Sequence, residues 1–366
     1  MSPSLLFETA TSLFVQITLL VGYALIVDRC RDSARRSGQI WTTTFVASLL
    51  LTLVAFLLPH VRWFPLPSFD EPSTLGTVLR IQIFAARLLL AIWLIGFSIS
   101  LLRRICRFLT LVHFFSVRCL SLSERQIASL PHDIVSRAPE STRWLLSDQT
   151  HGPFCWQLHR PTIVLPASIF QLDSEMQRHI LRHELEHLSV GHPLQHFLQG
   201  FCNTLLWFHP AVRFAAHRAE LTREYWCDEV AAQCREGVAG YLRSLATICE
   251  QNADAPPYTL AIGRRGSAIV RRSNRLARLM KCRDWKPGQE DSPMRLGFSS
   301  VSIVMAAALL AQLWLPVNLL ASGHDRFSPW PAWSASVLHD VGLTVRDYES
   351  FDHRREAHEI LNPDSE

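Results

Sequence analysis

Residues 41–59 read WTTTFVASLLLTLVAFLLP, an apolar stretch without a single charge. Similar stretches, with Glu8 and Arg87 as their only charges, occupy residues 5–27, 81–102 and 297–321. A helix needs about 20 residues to cross the ~30 Å hydrocarbon core of a bilayer. The sequence therefore predicts four transmembrane helices, three within residues 1–102 and the fourth at 297–321.

The overall composition agrees with a membrane protein. Of the 366 residues, 48% are apolar and only 19% are charged, against about 25% charged residues in soluble domains. Mean hydropathy is +0.12. These values disfavour a disordered chain, a collagen and a small disulfide-linked scaffold. The first apolar stretch is too long for a cleaved signal peptide and lacks a basic leader.

The distribution of charge predicts the orientation in the membrane. Basic residues follow the first and third apolar stretches, namely Arg29, Arg31, Arg35 and Arg36, then Arg103, Arg104 and Arg107. By the positive-inside rule these segments are cytoplasmic, and both termini and the 60–76 loop are outside. Residues 103–296 carry a net charge of +7 and the tail at 322–366 carries −5. All nine cysteines lie in or beside the segments predicted to be cytoplasmic or in an apolar stretch at 194–208, which favours free thiols.

Residues 103–296 are predicted to form one cytoplasmic domain. Four prolines and a β-branched run break up residues 130–165, a pattern typical of a small unit of strands and turns. Helical patterns follow from Asp173 or Ser174, at about 210–234 and at about 240–249. The remaining stretch, 251–296, is expected to be a partly helical linker. The predicted fold class is thus mainly α, with multi-pass membrane helices and a small β element.

The motif that indicates chemistry is His183-Glu184-Leu185-Glu186-His187, an H-E-x-x-H in a helical pattern. Histidines four residues apart project from the same face of a helix. Two such imidazoles bind one Zn²⁺, and Glu184 beside them is suited to act as general base toward water. Zinc would polarise the scissile carbonyl and acidify the attacking water. A surface helix that merely carries His and Glu is the alternative.

A second helical stretch offers the remaining ligand. Glu224 and Asp228 lie four residues apart and share a face. Glu224 completes a His₂Glu set with an open fourth position, which is typical of catalytic zinc. Asp228 is predicted to accept the second N–H of a ligand histidine and orient it. Glu220, one turn earlier, is the competing third ligand, and a solvated acidic face with Arg218 and Arg223 is the alternative without metal.

Several separated segments give the chain a specific resemblance to a known family. Residues 152–154 (GPF), 160–166 (RPTIVLP), 183–187 (HELEH), 207–210 (WFHP) and 224–228 (EYWCD) resemble the BlaR/MecR-type membrane zinc metallopeptidases. The resemblance covers roughly residues 10–320. It implies a gluzincin-type peptidase, facing the cytoplasm from the bacterial inner membrane, that cleaves a transcriptional repressor after a signal arrives.

Three departures from the family pattern stand out. Gln157 replaces a small residue beside the expected substrate-edge strand, and Gly191-His192 replaces a basic residue followed by Asp. His192 is either an extra metal contact, a residue that orients a ligand, or merely exposed. The antibiotic sensors also carry an extracellular penicillin-binding domain with Ser-x-x-Lys. Here the lysines are Lys281 and Lys286, neither in that motif, so acylation by a beta-lactam is excluded.

Three other features allow two interpretations each. Residues 194–208 are either a core helix of the peptidase or an interfacial or re-entrant segment. Arg87 either reaches the outer surface with Arg80 or pairs inside the membrane, for instance with Glu8. Six arginines before the fourth stretch favour contact with anionic lipid headgroups rather than nucleic acid; they are Arg264, Arg265, Arg271, Arg272, Arg275 and Arg278.

The leading hypothesis is a membrane zinc endopeptidase in signal transduction, whose substrate is a cytoplasmic protein such as a winged-helix repressor, or the protein itself. His183, His187 and Glu224 would bind Zn²⁺, Glu184 would activate water and Asp228 would orient the site. The alternatives are a quality-control peptidase of the HtpX/Ste24 type and a non-proteolytic membrane receptor. The lipid bilayer is an expected partner, direct binding to nucleic acid is not expected, and homodimer formation is left open.

Overall fold

The computed structural model describes residues 3–30, 33–63, 72–150, 152–253, 262–281, 293–318 and 326–348. The described chain is mainly helical and contains a small sheet. The helices are α1 (Pro3–Arg29), α2 (Ala34–Leu57), α3 (Pro72–Val117), α4 (Glu124–Ser129), α5 (His132–Val135), α6 (Ser174–Ser189), α7 (His192–Leu205), α8 (Pro210–Ala232), α9 (Gly237–Ala253), α10 (Ile262–Lys281), α11 (Pro293–Leu310) and α12 (Ala332–Asp340). The strands are β1 (Leu120–Ser121), β2 (Arg143–Ser147), β3 (Phe154–Trp156) and β4 (Thr162–Pro166).

Three of the described helices, α1, α2 and α3, are long and apolar enough to cross a membrane. A fourth apolar segment, Gly297–Leu310 in α11, is shorter than a typical span. The main hydrophobic core joins α1, α2 and α11 to the helices of the predicted soluble domain. Trp41 of α2 is fully buried there, together with Cys202 of α7 and Ala215 of α8. The soluble-domain helices therefore pack directly on the apolar helices.

The third apolar helix is longer than the sequence predicted. The predicted stretch ends at residue 102, whereas α3 continues to Val117 because no proline or glycine interrupts residues 103–117. The added turns carry aromatic rings that pack on β3. Phe108 lies 6.3 Å from Trp156, and Phe115 lies 6.2 Å from Phe154, measured between ring centroids. The extension thus contacts the sheet directly.

The fourth predicted span ends earlier than the sequence predicted, because α11 ends at Leu310 rather than near residue 321. The chain after it is non-helical and reaches Pro316, which cannot donate a hydrogen bond within a helix. Polar side chains of α1 satisfy the freed backbone groups: Gln16 donates to the Leu313 carbonyl (2.8 Å), and Ser12 accepts from the Leu315 N–H (3.0 Å). Irregular backbone next to apolar helices is tolerated where protein groups satisfy it in this way.

Glu8 in α1 is buried at the end of the bundle where the chain after α2 and the chain after α11 meet. Its carboxylate lies 3.2 Å from His60 Nε2, 3.6 Å from an Arg62 nitrogen and 3.2 Å from the Asn318 amide. These residues contact Glu8 in place of Arg87, which is exposed on α3. Pairing of Glu8 with Arg87, one of the two predicted interpretations, is therefore wrong.

The sheet has the strand order β1-β2-β4-β3 and matches the small β element that the sequence predicted. β2 and β4 run parallel, and β3 pairs antiparallel with β4 from Phe154 to Trp156. All five residues of β4 are buried, as expected for a central strand with apolar side chains on both faces. β3 is consequently an edge strand, with one side free to pair with another extended segment.

Candidate metal centre

Helix α6 places both histidines of the H-E-x-x-H motif on its buried side. Asp173 caps the helix by accepting a hydrogen bond from the Met176 N–H (2.7 Å), so one of the two predicted caps is confirmed. The apolar face, with Leu181 and Leu185 in the core, orients the helix against the sheet. On the adjacent side the Nε2 atoms of His183 and His187 lie 3.1 Å apart.

Helix α8 brings a carboxylate to the same point. Glu224 Oε2 lies 3.5 Å from His183 Nε2, and Glu224 Oε1 lies 3.6 Å from His187 Nε2. The competing acid, Glu220, is directed elsewhere and accepts a hydrogen bond from the Gln199 amide of α7 (3.0 Å). The geometry therefore brings Glu224 to the histidines and leaves Glu220 away from them.

The donor atoms of these three residues fit a tetrahedral zinc ion. Zn–N and Zn–O bonds of about 2.0–2.1 Å place neighbouring ligand atoms about 3.3 Å apart in a tetrahedron. The separations of 3.1, 3.5 and 3.6 Å among His183, His187 and Glu224 bracket that value. His183, His187 and Glu224 are thus able to hold Zn²⁺, and three protein ligands leave a fourth position for water or substrate.

Asp228 and a tyrosine that the sequence did not indicate hold His183 in place. Asp228 Oδ1 lies 3.3 Å from His183 Nδ1, as the predicted orienting role requires. Tyr241 of α9 donates its hydroxyl hydrogen to Asp228 (2.6 Å), and its oxygen lies 3.1 Å from His183 Nδ1. An N–H at Nδ1 shared with these oxygens leaves the Nε2 lone pair facing the candidate metal position.

His192 lies beside the other ligand histidine. Its Nδ1 is 2.9 Å from His187 Nδ1, and Cys227 Sγ is 3.5 Å from the same His192 atom. Burial lowers the pKa of His192 to about 2, so its imidazole is neutral and accepts hydrogen bonds. The Nδ1–H of His187 donates to it, which again leaves Nε2 for the metal. The donor atoms of His187, His192 and Cys227 also lie close enough together to hold a metal ion, so the geometry fits two of the predicted alternatives for His192, an extra metal contact and a residue that orients a ligand.

Helix α10 corrects the lipid-facing interpretation for two of the six arginines, Arg272 and Arg275. Arg272 is mostly buried and forms ion pairs with Glu224 (2.9 Å) and Asp228 (2.6 Å). Arg275 pairs with Glu229 at 2.8 Å. Both arginines therefore face α8, and Arg272 reaches the candidate metal centre itself. The local sequence around residue 272 is so rich in arginine that charge alone did not distinguish it.

Glu184 is buried next to the edge strand. Burial, and to a lesser extent the Glu224 carboxylate, raise its pKa to about 7 against the opposing effects of His183 and Arg272. The Cys155 thiol of β3 lies beside this carboxyl group. A carboxyl group whose pKa lies near neutrality is suited to take up and release a proton at pH 7. The position and the pKa of Glu184 are those expected of a general base facing a peptide on β3.

Residues 207–210 (WFHP) join the site to the apolar helices. Trp207 donates to the Trp93 carbonyl of α3 (3.3 Å), and Trp93 donates to the Leu205 carbonyl (3.0 Å). The Trp207 ring lies directly over Gly96, where any larger residue would collide with it. His209 is buried and its Nε2 lies 3.1 Å from the Phe14 carbonyl of α1. These contacts indicate a structural role for the motif, because they attach the connection between α7 and α8 to the apolar helices α1 and α3.

The predicted apolar segment at 194–208 is mostly helix α7, and it has two faces. Cys202 and Leu206 belong to the main core, which agrees with a core helix. Leu194, Phe197 and Phe201 are exposed on its other face, at helical spacing. An exposed row of large apolar residues beside α3 is typical of a helix that lies at a membrane surface. The core-helix interpretation is therefore confirmed for the buried face, and contact of the exposed face with a membrane stays a prediction.

The two ligand histidines differ in protonation in the metal-free site. Burial lowers the pKa of His187 to about 4. Burial also opposes protonation of His183, but hydrogen bonds to Asp228 and Glu224 outweigh it and raise the His183 pKa to about 9. At neutral pH the proton is therefore on His183, and Zn²⁺ must displace it.

We expect the apparent zinc affinity of the purified protein to rise about tenfold for each pH unit between pH 6 and pH 9. The sign follows from the raised pKa of His183, since a proton is displaced below about pH 9 and none above it. Competition with a chelator of known pH dependence measures this slope. An affinity that does not change over this range would contradict the assignment of His183 as a protonated ligand.

The described chain combines a helix that carries H-E-x-x-H with a small sheet and apolar helices, an arrangement that fits a membrane-bound peptidase. The family model described as BlaR1 peptidase M56 matches residues 80–272, more than half of the chain. The chain therefore belongs to the M56 family of BlaR1-type peptidases, as the sequence motifs indicated. A search of curated proteins finds no significant match.

Proposed function

We propose that the protein is a zinc-dependent endopeptidase of the membrane that cleaves a cytoplasmic protein, most simply a transcriptional repressor, in response to a signal. The observation that carries the proposal is the convergence of His183, His187 and Glu224 at tetrahedral donor separations. Membership of the M56 family supports the peptidase activity. The repressor substrate is an expectation from the family resemblance.

The residues of this chain have distinct roles in the proposed reaction. Zn²⁺, when bound by His183, His187 and Glu224, supplies a Lewis acid for the scissile carbonyl. Glu184 takes a proton from the attacking water and delivers it to the leaving amine, for which its pKa of about 7 is suited. Asp228 keeps His183 oriented throughout.

The edge strand β3 is the proposed docking position for substrate. An extended peptide adds to a free sheet edge through main-chain hydrogen bonds. Phe154 and Trp156 at this edge pack on the aromatic rings of α3, and Cys155 lies next to Glu184. A peptide paired with β3 would therefore pass the general base. Gln157, which follows the strand, would be a neighbour of such a peptide.

The proposed topology places the peptidase on the cytoplasmic side. The end of α1 and the start of α2, on either side of the arginine-rich connection, contact α8: Arg218 bonds to Asp28 (2.7 Å), and Arg35 lies over the Trp226 ring at 5.4 Å. The contacts of Glu8 with the chain after α2 and α11 lie at the opposite end of α1. With the positive-inside rule, this arrangement supports a cytoplasmic peptidase and an outside tail in a bacterial inner membrane.

The test compares cells that express the full-length protein with cells that express Glu184→Gln, by mass spectrometry of new protein N-termini. Fragments of one DNA-binding repressor that depend on Glu184 would support the proposal. Cleavage of many misfolded membrane proteins would instead support a quality-control peptidase. The absence of any Glu184-dependent fragment would favour a non-proteolytic receptor and contradict the proposed activity.

A further inference from the structure

The guanidinium group of Arg272 contacts two acidic residues of the candidate centre at once. Its Nε and Nη2 atoms bond to the two Asp228 oxygens at 2.8 and 2.6 Å, and its Nη1 lies 2.9 Å from Glu224 Oε2. The side chain is 13% exposed and Asp228 is 1% exposed. Charge-assisted, two-pronged contacts of this kind are among the strongest and most directional in proteins.

Arg272 is well placed to determine the charge and the orientation of both carboxylates. Glu224 and Asp228 are one turn apart on α8, so their negative charges repel each other. The Arg272 guanidinium lies 2.9 Å from Glu224 and 2.6 Å from Asp228, so its positive charge offsets this repulsion. The same cation thus keeps Glu224 available to a metal and Asp228 available to His183.

We propose that Arg272 is a positioning residue of the peptidase, which fixes Glu224 toward the two histidines and Asp228 against His183. The inference rests on the proposed zinc peptidase function and adds a requirement to it. The metal centre, whose histidines and acids come from α6 and α8, is complete only when α10 is docked. The positions of both carboxylates would then depend on α10. This helix directly precedes the apolar helix α11 in the sequence.

A neighbouring arginine supplies a matched control. Arg275 lies one turn along the same face of α10, bonds to Glu229 at 2.8 Å and packs over the Tyr225 ring at 4.9 Å. It docks α10 on α8 without touching Glu224 or Asp228 through any contact seen among the described residues. Loss of Arg275 therefore tests helix docking, and loss of Arg272 tests positioning of the ligands.

The experiment measures zinc affinity of the full-length protein in detergent, by competition with a chelator, for wild type, Arg272→Gln, Arg272→Lys and Arg275→Gln. We expect Arg272→Gln to weaken zinc binding about 10–100-fold, as is typical when a partner of a metal ligand is removed. Arg272→Lys should remain weakened, because an ammonium group cannot bridge two carboxylates as a planar guanidinium does. Arg275→Gln should stay close to wild type.

Co²⁺ bound in place of zinc provides a second readout that folding alone does not change. Its visible absorption reports coordination geometry, and we expect it to differ from wild type in Arg272→Gln and not in Arg275→Gln. Equal zinc affinities and equal Co²⁺ spectra for wild type and Arg272→Gln would overturn the inference. An equal loss of zinc affinity in Arg275→Gln would also overturn it, because Arg272 would then act only by docking α10 on α8.

The failure of the inference and the failure of the proposed function give different results. A wild-type protein that binds neither zinc nor Co²⁺ would overturn the zinc peptidase function and this inference with it. If the wild-type protein binds zinc and the Arg272→Gln variant binds it equally well, only the inference about Arg272 is overturned. Thermal unfolding of each variant checks that the full chain is folded.

Discussion

We expect the replacement of Glu184 by glutamine to abolish proteolysis while zinc stays bound. Glu184 is not one of the three residues whose donor atoms converge, so Glu184→Gln leaves His183, His187 and Glu224 intact. A general base contributes about 10²–10⁴-fold to the rate, and glutamine cannot accept the proton. Cleavage of the identified substrate and zinc content, measured on the same preparation, are the two readouts.

Glu186→Gln is the matched control for this prediction. Glu186 lies in the same motif but is not among the converging donors, and it accepts a hydrogen bond from Trp226 (2.6 Å). The glutamine oxygen retains that acceptor, so both zinc content and cleavage should remain near wild type. A Glu184→Gln protein that still cleaves its substrate would show that another group takes the proton.

The second large effect is expected for the loss of Glu224, which should lower the affinity of the protein for zinc. Removal of a residue that only orients a ligand costs about 10–100-fold in metal affinity. Glu224→Ala removes a ligand itself, so we expect zinc affinity to fall by more than about 100-fold. The same chelator competition measures it, and cleavage should fall in parallel.

Glu220→Ala controls for the loss of an acid on the same helix. Glu220 is exposed one turn away and bonds to Gln199 rather than to a histidine. Its removal should leave zinc binding within about threefold of wild type, as expected for a residue without a metal contact. If zinc is lost in Glu220→Ala and kept in Glu224→Ala, the third ligand is Glu220 and the assignment of Glu224 is wrong.

The parts of the fold that could be predicted from the sequence are those that follow a local period. Histidines four residues apart predicted a shared helix face, and Glu224 with Asp228 predicted a second face that now meets it. The apolar runs at 5–27 and 41–59 predicted α1 and α2, because the length and hydropathy of a run can also be read from the local sequence. The end of α11 was missed, because polar groups of α1 stabilise non-helical backbone there and hydropathy does not record such contacts.

Arg272 and Tyr241 could not be predicted as parts of the site, because each reaches it from a separate helix through tertiary packing. A weak signal existed for Arg272, since Leu276 and Met280 continue its row at helical spacing and belong to a hydrophobic cluster. An arginine in an apolar row is expected to have a buried acidic partner. Its neighbours of like charge obscured that signal.

Zinc content of the detergent-purified protein, wild type beside His183→Ala, tests the central claim most directly. The arrangement of His183, His187 and Glu224 predicts about one zinc per wild-type chain, as expected for a single site with three protein ligands. It predicts little or none in His183→Ala. Folded wild-type protein without zinc, or the same zinc content in the variant, would contradict a metal centre built on the H-E-x-x-H helix.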